Sequence, residues 1–370
     1  MCNENSPITD FESIITELER ISPTREQTAG SIFSYRDMEG AEYIDDSLEE
    51  SELNEIEPEE TEEAGESEII DFEHMQSGPL AAADCGIVRL GETKDGLIIA
   101  LRSAIVIEDR QNMPQVKLFK TGPLYLHNQF KKQLFYQIGC HLNKPDLYVE
   151  LDNSDPPQPV AIKRGVADNV NQYGDRFRSW FERLTHKIAM TSIENGTILL
   201  DGALTTNTRD VSDNFLDSLS TLASNNGNSI IGISKKSMLQ IQNKPIKFWL
   251  DEAPMRACYC NLTNIMRTEG RERVLGNAYA VRFSKIGATF RMDVKPAEGQ
   301  LQNEAVNQFY SSSLMRCGYP DILVKAHAYS YFTTPDVYQL QANAGAKYGL
   351  IGKTEPNLTG IFAPFGGRFK

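Results

Sequence analysis

Cysteine is sparse in this 370-residue chain: six residues lie scattered from Cys2 to Cys317. Such spacing speaks against the disulfide framework that staples small secreted domains, and fits reduced thiols. The tightest pair, Cys258 and Cys260, has no second Cys or His cluster near it, so a metal site there is disfavoured. Long apolar runs are also missing. The best, Leu97 to Ile107, falls short of the roughly 18 residues of a membrane span and is broken by Arg102. The start, Met1-Cys2-Asn3-Glu4, has neither the basic nor the apolar region of a secretory leader, so a cytoplasmic location is expected. There is no Gly-rich Walker loop, no dinucleotide-binding glycine fingerprint after a strand, no His-Glu-x-x-His and no Gly-x-Ser-x-Gly. These absences argue against an ATPase, a dehydrogenase, a zinc protease and an α/β hydrolase.

What is present is ordinary in bulk and uneven along the chain. Hydrophobic residues make up 40% and charged residues 24%, as in folded globular proteins. The formal net charge of −14 sits at one end. From Met1 to Met75 there are 24 acids against Arg20, Arg25 and Arg36, a balance of −21, which leaves +7 on the remaining 295 residues. A mildly basic body with an acidic end is a hint of nucleic-acid contact.

Periodicity divides the chain further. Ile8 to Ile21 reads as a short amphipathic helix, whereas Asp45 to Glu68 is dominated by Glu and reads as disordered. Order is expected from about Gly78: two strands around the turn Glu92 to Gly96, a third from Val116 to Leu126, then a helix from Gln129 to Cys140. Three prolines between Asn143 and Pro159 mark a loop or insertion. Phe177, Trp180, Phe181, Leu184 and Ile188 recur at helical steps within a half-buried helix from Asp175 to Ile193. Short central strands follow at Ile198 to Leu200 and Ile230 to Ile233, with a helix at Phe215 to Ala223 between them and a hairpin at Ala278 to Phe283 and Thr289 to Val294. Gln302 to Arg316 reads as a helix, and Ile322 to Tyr331 as helix or strand. The alternation indicates an α/β fold with a mixed sheet flanked by helices.

Asp84 and Asp201 each stand where a strand meets a turn, the place where open α/β sheets bind ligands. An Asp before a turn is equally a common turn residue or helix cap. Glu182 shares a helix face with Arg178 and His186, which also suits a surface salt bridge. His327, flanked by apolar segments, suits either a satisfied half-buried ring or a ligand. Tyr319 precedes it by eight residues and suits a packed turn. Taken together, three carboxylates and an imidazole fit Mg²⁺ or Mn²⁺, two of which could cut a phosphodiester bond in line. Lys235 could then neutralise a phosphate.

The order of these pieces resembles the NurA nucleases. It comprises Asp84 in Ala-Ala-Asp-x-Gly, Glu182 in Trp-Phe-Glu-Arg-Leu, Asp201 in Leu-Leu-Asp-Gly-Ala-Leu, Gly232 to Lys235, the Arg282 to Asp293 hairpin, and Gly318 to His327. The resemblance implies an RNase H-like, Piwi-related core over residues 78–345, with an insertion at about 143–160, after an acidic, largely disordered extension over 1–77 and before a C-terminal tail at 346–370. It implies a Mn²⁺- or Mg²⁺-dependent deoxyribonuclease, with two ions, that acts as a single-strand endonuclease and 5′-to-3′ exonuclease in resecting DNA double-strand breaks. It further implies a homodimer and a HerA-type hexameric translocase as partner. Carried over by residue, the metal ligands are Asp84, Glu182, Asp201 and His327, with Tyr319 as a further catalytic residue. Lys235, Arg282 and Asp293 are candidate substrate contacts. The first motif departs from the family's Asp-Gly-Ser, reading Asp84-Cys85-Gly86. Two other classes stay open: a non-catalytic regulatory or loading subunit of a translocase, and an RNase H-like ribonuclease.

Overall fold

The computed structural model describes residues 7–36, 68–109, 112–141, 148–163, 170–206, 211–235, 237, 240–241, 244–263 and 273–355. In chain order, helix α1 (Pro7–Ile21) and the single turn α2 (Arg25–Thr28) precede strands β1 (Ile32–Arg36) and β2 (Ile69–Asp71). Three long strands follow, β3 (Leu80–Thr93), β4 (Gly96–Asp109) and β5 (Asn112–His127), then helices α3 (Lys131–His141) and α4 (Val170–Met190). Next come β6 (Thr197–Asp201), α5 (Asp213–Asn225), β7 (Ser229–Ser234), β8 (Cys258–Asn261), β9 (Asn277–Arg282) and β10 (Phe290–Lys295). Helices α6 (Gln302–Ser312), α7 (Asp321–Ser330) and α8 (Thr334–Tyr348) and strand β11 (Ile351–Glu355) complete the set.

These eleven strands join one mixed sheet in the order β11-β1-β3-β6-β7-β10-β9-β8-β2, with β4 and β5 extending from β3, and short two-stranded pairs lie outside it. β3, β4 and β5 form an antiparallel meander, the first two joined by a two-residue turn between Thr93 and Gly96. β6 then pairs parallel to β3, and β7 parallel to β6. Side chains alternate across β3. Ala81, Ala83 and Cys85 pack under α1, α3, α4 and α5, while Leu80 and Ala82 pack under α6 and α7. α8 covers the far part of β3 and β4 through Val88, Ile98 and Ala100.

Several expectations change. Order does not wait for Gly78: Phe11, Ile14 and Leu18 of α1 and Phe33 of β1 are buried. The amphipathic face of α1 needs an apolar partner and finds α4, where the Phe11 and Phe181 rings lie 4.8 Å apart. The acidic stretch expected to be disordered lies, up to residue 67, outside the described residues. At the other end, β11 pairs in parallel with β1 from Ile32↔Ile351 to Arg36↔Glu355, so within the expected C-terminal tail residues 346–348 finish helix α8 and 351–355 belong to the sheet. Residues 356–370 lie outside the described set. Within the expected insertion, Val149–Leu151 and Pro159–Ile162 pair as a small hairpin. Helix α6 stops at Ser312 because Met315 and Arg316 pair with Pro320 and Tyr319. Residues 321–330 form a helix, which settles that choice. α4 is buried almost all round rather than on one face, its charged residues Arg178, Glu182, Arg183 and His186 included. Among the described residues no helix is long and apolar enough to cross a membrane.

Candidate active site

Ala83 pairs with Leu200 in the parallel β3–β6 ladder, so the next positions, Asp84 and Asp201, are neighbours at the carboxyl end of β6. Both share strand parity with the residues facing α6 and α7. Gly202 follows Asp201 with φ of 121° and donates its N–H to the Ile233 carbonyl at 2.9 Å, turning the chain away from the sheet. Asp201 ends β6, but Asp84 is the fifth residue of β3, which runs on to Thr93, so of the two acids expected where a strand meets a turn only Asp201 stands there.

Asp84 is 4% exposed and has three donors. Its Oδ1 accepts the Cys85 N–H at 2.7 Å, and its Oδ2 meets His327 Nδ1 at 2.9 Å and the Ser330 hydroxyl at 2.9 Å. Burial pushes the carboxyl up, but the hydrogen bond and charge of His327, the charge of Arg178 and the Ser330 hydroxyl outweigh it and hold Asp84 at about 2. Gly86 permits this arrangement. A Cβ there would lie 2.4 Å from the Ser330 carbonyl oxygen, so only glycine lets the end of α7 settle this closely on β3.

Asp201 has different company. Lys235 Nζ lies 2.5 Å from its Oδ2, and the Tyr319 hydroxyl donates to its Oδ1 at 3.2 Å. Lys235 is also 5.2 Å from the centre of the Tyr319 ring. Tyr319 is delivered by a tight hairpin: Cys317 and Gly318, between Arg316 and Tyr319, have φ of 52° and 80°, the left-handed pair of a type I′ turn. Burial, then the charge and hydrogen bond of Asp201, then the charge of Asp84, push the Tyr319 phenol well above its ordinary value. It is a hydrogen-bond donor at neutral pH, not a base.

Glu182 is elsewhere. It lies on α4, across the sheet from Asp84, where its charge bears on the Cys85 thiol and burial pushes that thiol up. Its Oε2 is 3.7 Å from Arg183 and its Oε1 is 3.8 Å from His186 Nε2. Burial, then the Arg183 charge, hold His186 down at about 3, so the ring is neutral and is not a salt-bridge partner at neutral pH. Arg178 donates to the Cys85 carbonyl at 3.2 Å. The surface salt bridge suggested by spacing is thus a buried cluster.

Arg282 and Asp293 are engaged inside the fold. Arg282 donates to the carbonyls of Arg256 at 3.1 Å, Leu250 at 3.0 Å and Pro254. Asp293 is fully buried, takes two 2.9 Å bonds from Arg291 and accepts the Leu204 N–H at 2.8 Å, tying the loop after β6 to β10. Ser330 and Gly86 were not anticipated. The three-residue step from His327 to Ser330 along one helix face was the available signal for the first.

Among the described residues no three His, Cys, Asp or Glu side chains converge on one point. The Asp84 and Asp201 oxygens and the His327 imidazole are nonetheless donors that suit a hard divalent ion. His327 and Lys235 provide positive charge beside that pair in the structure. No protein-family model and no curated protein matches the chain. Among solved structures, the chain is similar to the crystal structure of the NurA nuclease from Sulfolobus solfataricus, with 17% identity, 75% of this chain and 87% of that chain covered, and a TM-score of 0.42. A likeness of that depth carries no functional argument, and the reading below stands on the side chains themselves.

Proposed function

We propose that the chain is a metal-dependent DNA nuclease whose reaction centre is the Asp84–Asp201 pair. One observation carries the reading: two carboxylates lie side by side on adjacent parallel strands, Asp84 within β3 and Asp201 at the end of β6, with an imidazole on one and an ammonium and a phenol on the other. The antiparallel meander continued by parallel β6 and β7 is in keeping with an RNase H-like core. The +7 balance beyond residue 75 suits a polyanionic substrate.

Asp84, Asp201 and His327 would hold Mn²⁺ or Mg²⁺; Glu182 lies in the α4 cluster with Arg183 and His186. A bound ion supplies an acidified water and stabilises charge on the leaving oxygen. The chain's own groups do the rest. Asp84, ionised at any pH above about 2, is kept in one orientation by its three donors. His327 is half-exposed beside it, and its Nδ1 against Asp84 leaves Nε2 as the ring nitrogen available to the ion. Tyr319 can donate its hydroxyl to a phosphate oxygen, and Lys235 can neutralise the non-reacting charge. The sequence resemblance adds the finer parts of the proposal: 5′-to-3′ resection of DNA breaks, a HerA-type translocase and a homodimer.

The test is cleavage of end-labelled single- and double-stranded DNA by the full chain with Mn²⁺, Mg²⁺ or EDTA. Metal-dependent, EDTA-sensitive cutting is expected. Inertness with every metal, even after a HerA-type translocase is added, would overturn the proposal and favour a non-catalytic subunit.

A further inference from the structure

Asp84 and Asp201 each have a basic partner in the structure, and the two partners are held differently. The His327 ring is carried on α7, whose approach to β3 is fixed at Gly86 and Ser330. Lys235 reaches Asp201 from the residue after β7 on a flexible four-carbon stem, and its side chain is 42% exposed. Its ammonium covers Oδ2 while the Tyr319 hydroxyl covers Oδ1, so both oxygens of Asp201 are occupied. A divalent ion ligated by Asp201 has to displace this ammonium, because two cations on one carboxylate oxygen repel. The displaced ammonium stays tethered beside the crevice, where a phosphodiester is its natural counter-ion. Conversely, a phosphate that draws Lys235 away uncovers Asp201 for the ion.

We propose that Lys235 is a displaceable internal counter-ion of Asp201 that couples divalent-cation binding to binding of a nucleic-acid phosphate. This rests on the reading of Asp201 as a metal ligand. Lys235 is then a positioning residue, and the coupling is reciprocal: whatever factor the nucleic acid adds to metal affinity, the metal adds to nucleic-acid affinity.

The experiment is Mn²⁺ binding to the full chain, read from the electron paramagnetic resonance signal of free Mn²⁺. It is run with and without a short single-stranded oligonucleotide whose phosphorothioate linkages resist cutting. Wild type should bind Mn²⁺ about tenfold more tightly with the oligonucleotide, a coupling of ordinary size. Lys235→Met should bind Mn²⁺ about tenfold more tightly than wild type without oligonucleotide, since a close positive charge is gone, and should gain little from adding it. Lys94→Met, a charge control in the exposed β3–β4 turn, should leave both values within about twofold, as expected for a screened surface charge. If Lys235→Met matches Lys94→Met in the absence of oligonucleotide, the counter-ion proposal is overturned. Asp201→Asn separates the two levels. Loss of Mn²⁺ binding in that variant keeps Asp201 as a ligand even where the coupling fails, whereas unchanged binding removes both readings.

Discussion

The two faces of the central sheet carry the same kinds of ionisable residue in different settings. Under α6 and α7, Asp84 is buried within β3 and Asp201 ends β6, with His327 and Lys235 each nearly half exposed beside them. Under α4, Glu182, Arg183 and His186 are sealed between the helix layer and the sheet. Partly exposed charges such as Lys235 and Asp201 can exchange partners with an incoming ion or phosphate at small cost to the fold. Charges inside a helix layer cannot, because an unpaired one is left without solvent. The same residue types therefore read as chemistry on one face and as architecture on the other.

The largest stability effect that would sharpen this contrast is at Glu182. Glu182→Ala should destabilise the fold by about 3 kcal/mol, measured by urea unfolding, since it leaves the buried Arg183 charge uncompensated. An unchanged unfolding midpoint together with lost Mn²⁺ binding would place Glu182 with the other two acids and break the comparison.

A smaller effect is expected from Asp84 as pH falls. Its folded value of about 2 lies below the ordinary carboxylate value, so its ionised form stabilises the fold. That stabilisation is complete above the unfolded-state value near 3.9 and is lost as pH drops towards about 2, roughly 2 kcal/mol in all. Unfolding free energies of wild type and Asp84→Asn should converge over that window. Parallel profiles would show that the His327, Arg178 and Ser330 contacts do not hold the charge. Smaller still, Gly86→Ala should cost about 1–2 kcal/mol by crowding the Ser330 carbonyl and should shift the His327 ring resonances, with a thermal midpoint as the first readout. A neutral outcome on both would mean that α7 does not depend on that close approach.

Much of the sheet was legible because its strands carry their signals locally. The alternation and turn around Thr93 to Gly96 gave the β3–β4 hairpin, and the short apolar runs gave β6 and β7. The pairing of β1 with β11 was not legible: Ile32 and Ile351 meet across most of the chain, and parallel pairing leaves no turn signature. At the site, Asp201 could be picked out as an acid where a strand meets a turn, whereas Asp84, read the same way, lies inside β3; Tyr319 and His327 suited a packed turn and a satisfied ring on their own pattern and were assigned by the resemblance. The placement of Glu182 was not legible. Helical spacing shows which residues share a face of α4, but not that α1, α3 and α5 enclose the helix, nor that it lies across the sheet from Asp84. The engagement of Arg282 by three carbonyls and of Asp293 by Arg291 depends likewise on tertiary neighbours.

The central claim, that Asp84 and Asp201 on adjacent parallel strands form the reaction centre, is tested most directly by comparing wild type and Asp201→Asn for Mn²⁺-dependent cleavage of labelled DNA, with DNA binding and thermal unfolding measured on the same preparations. The account predicts that cleavage falls by a factor of about 10²–10³ or more while the fold and DNA binding persist, because the Lys235–Asp201 pair is partly exposed and contributes about 1 kcal/mol or less to stability. Cleavage by Asp201→Asn at the wild-type rate would contradict it.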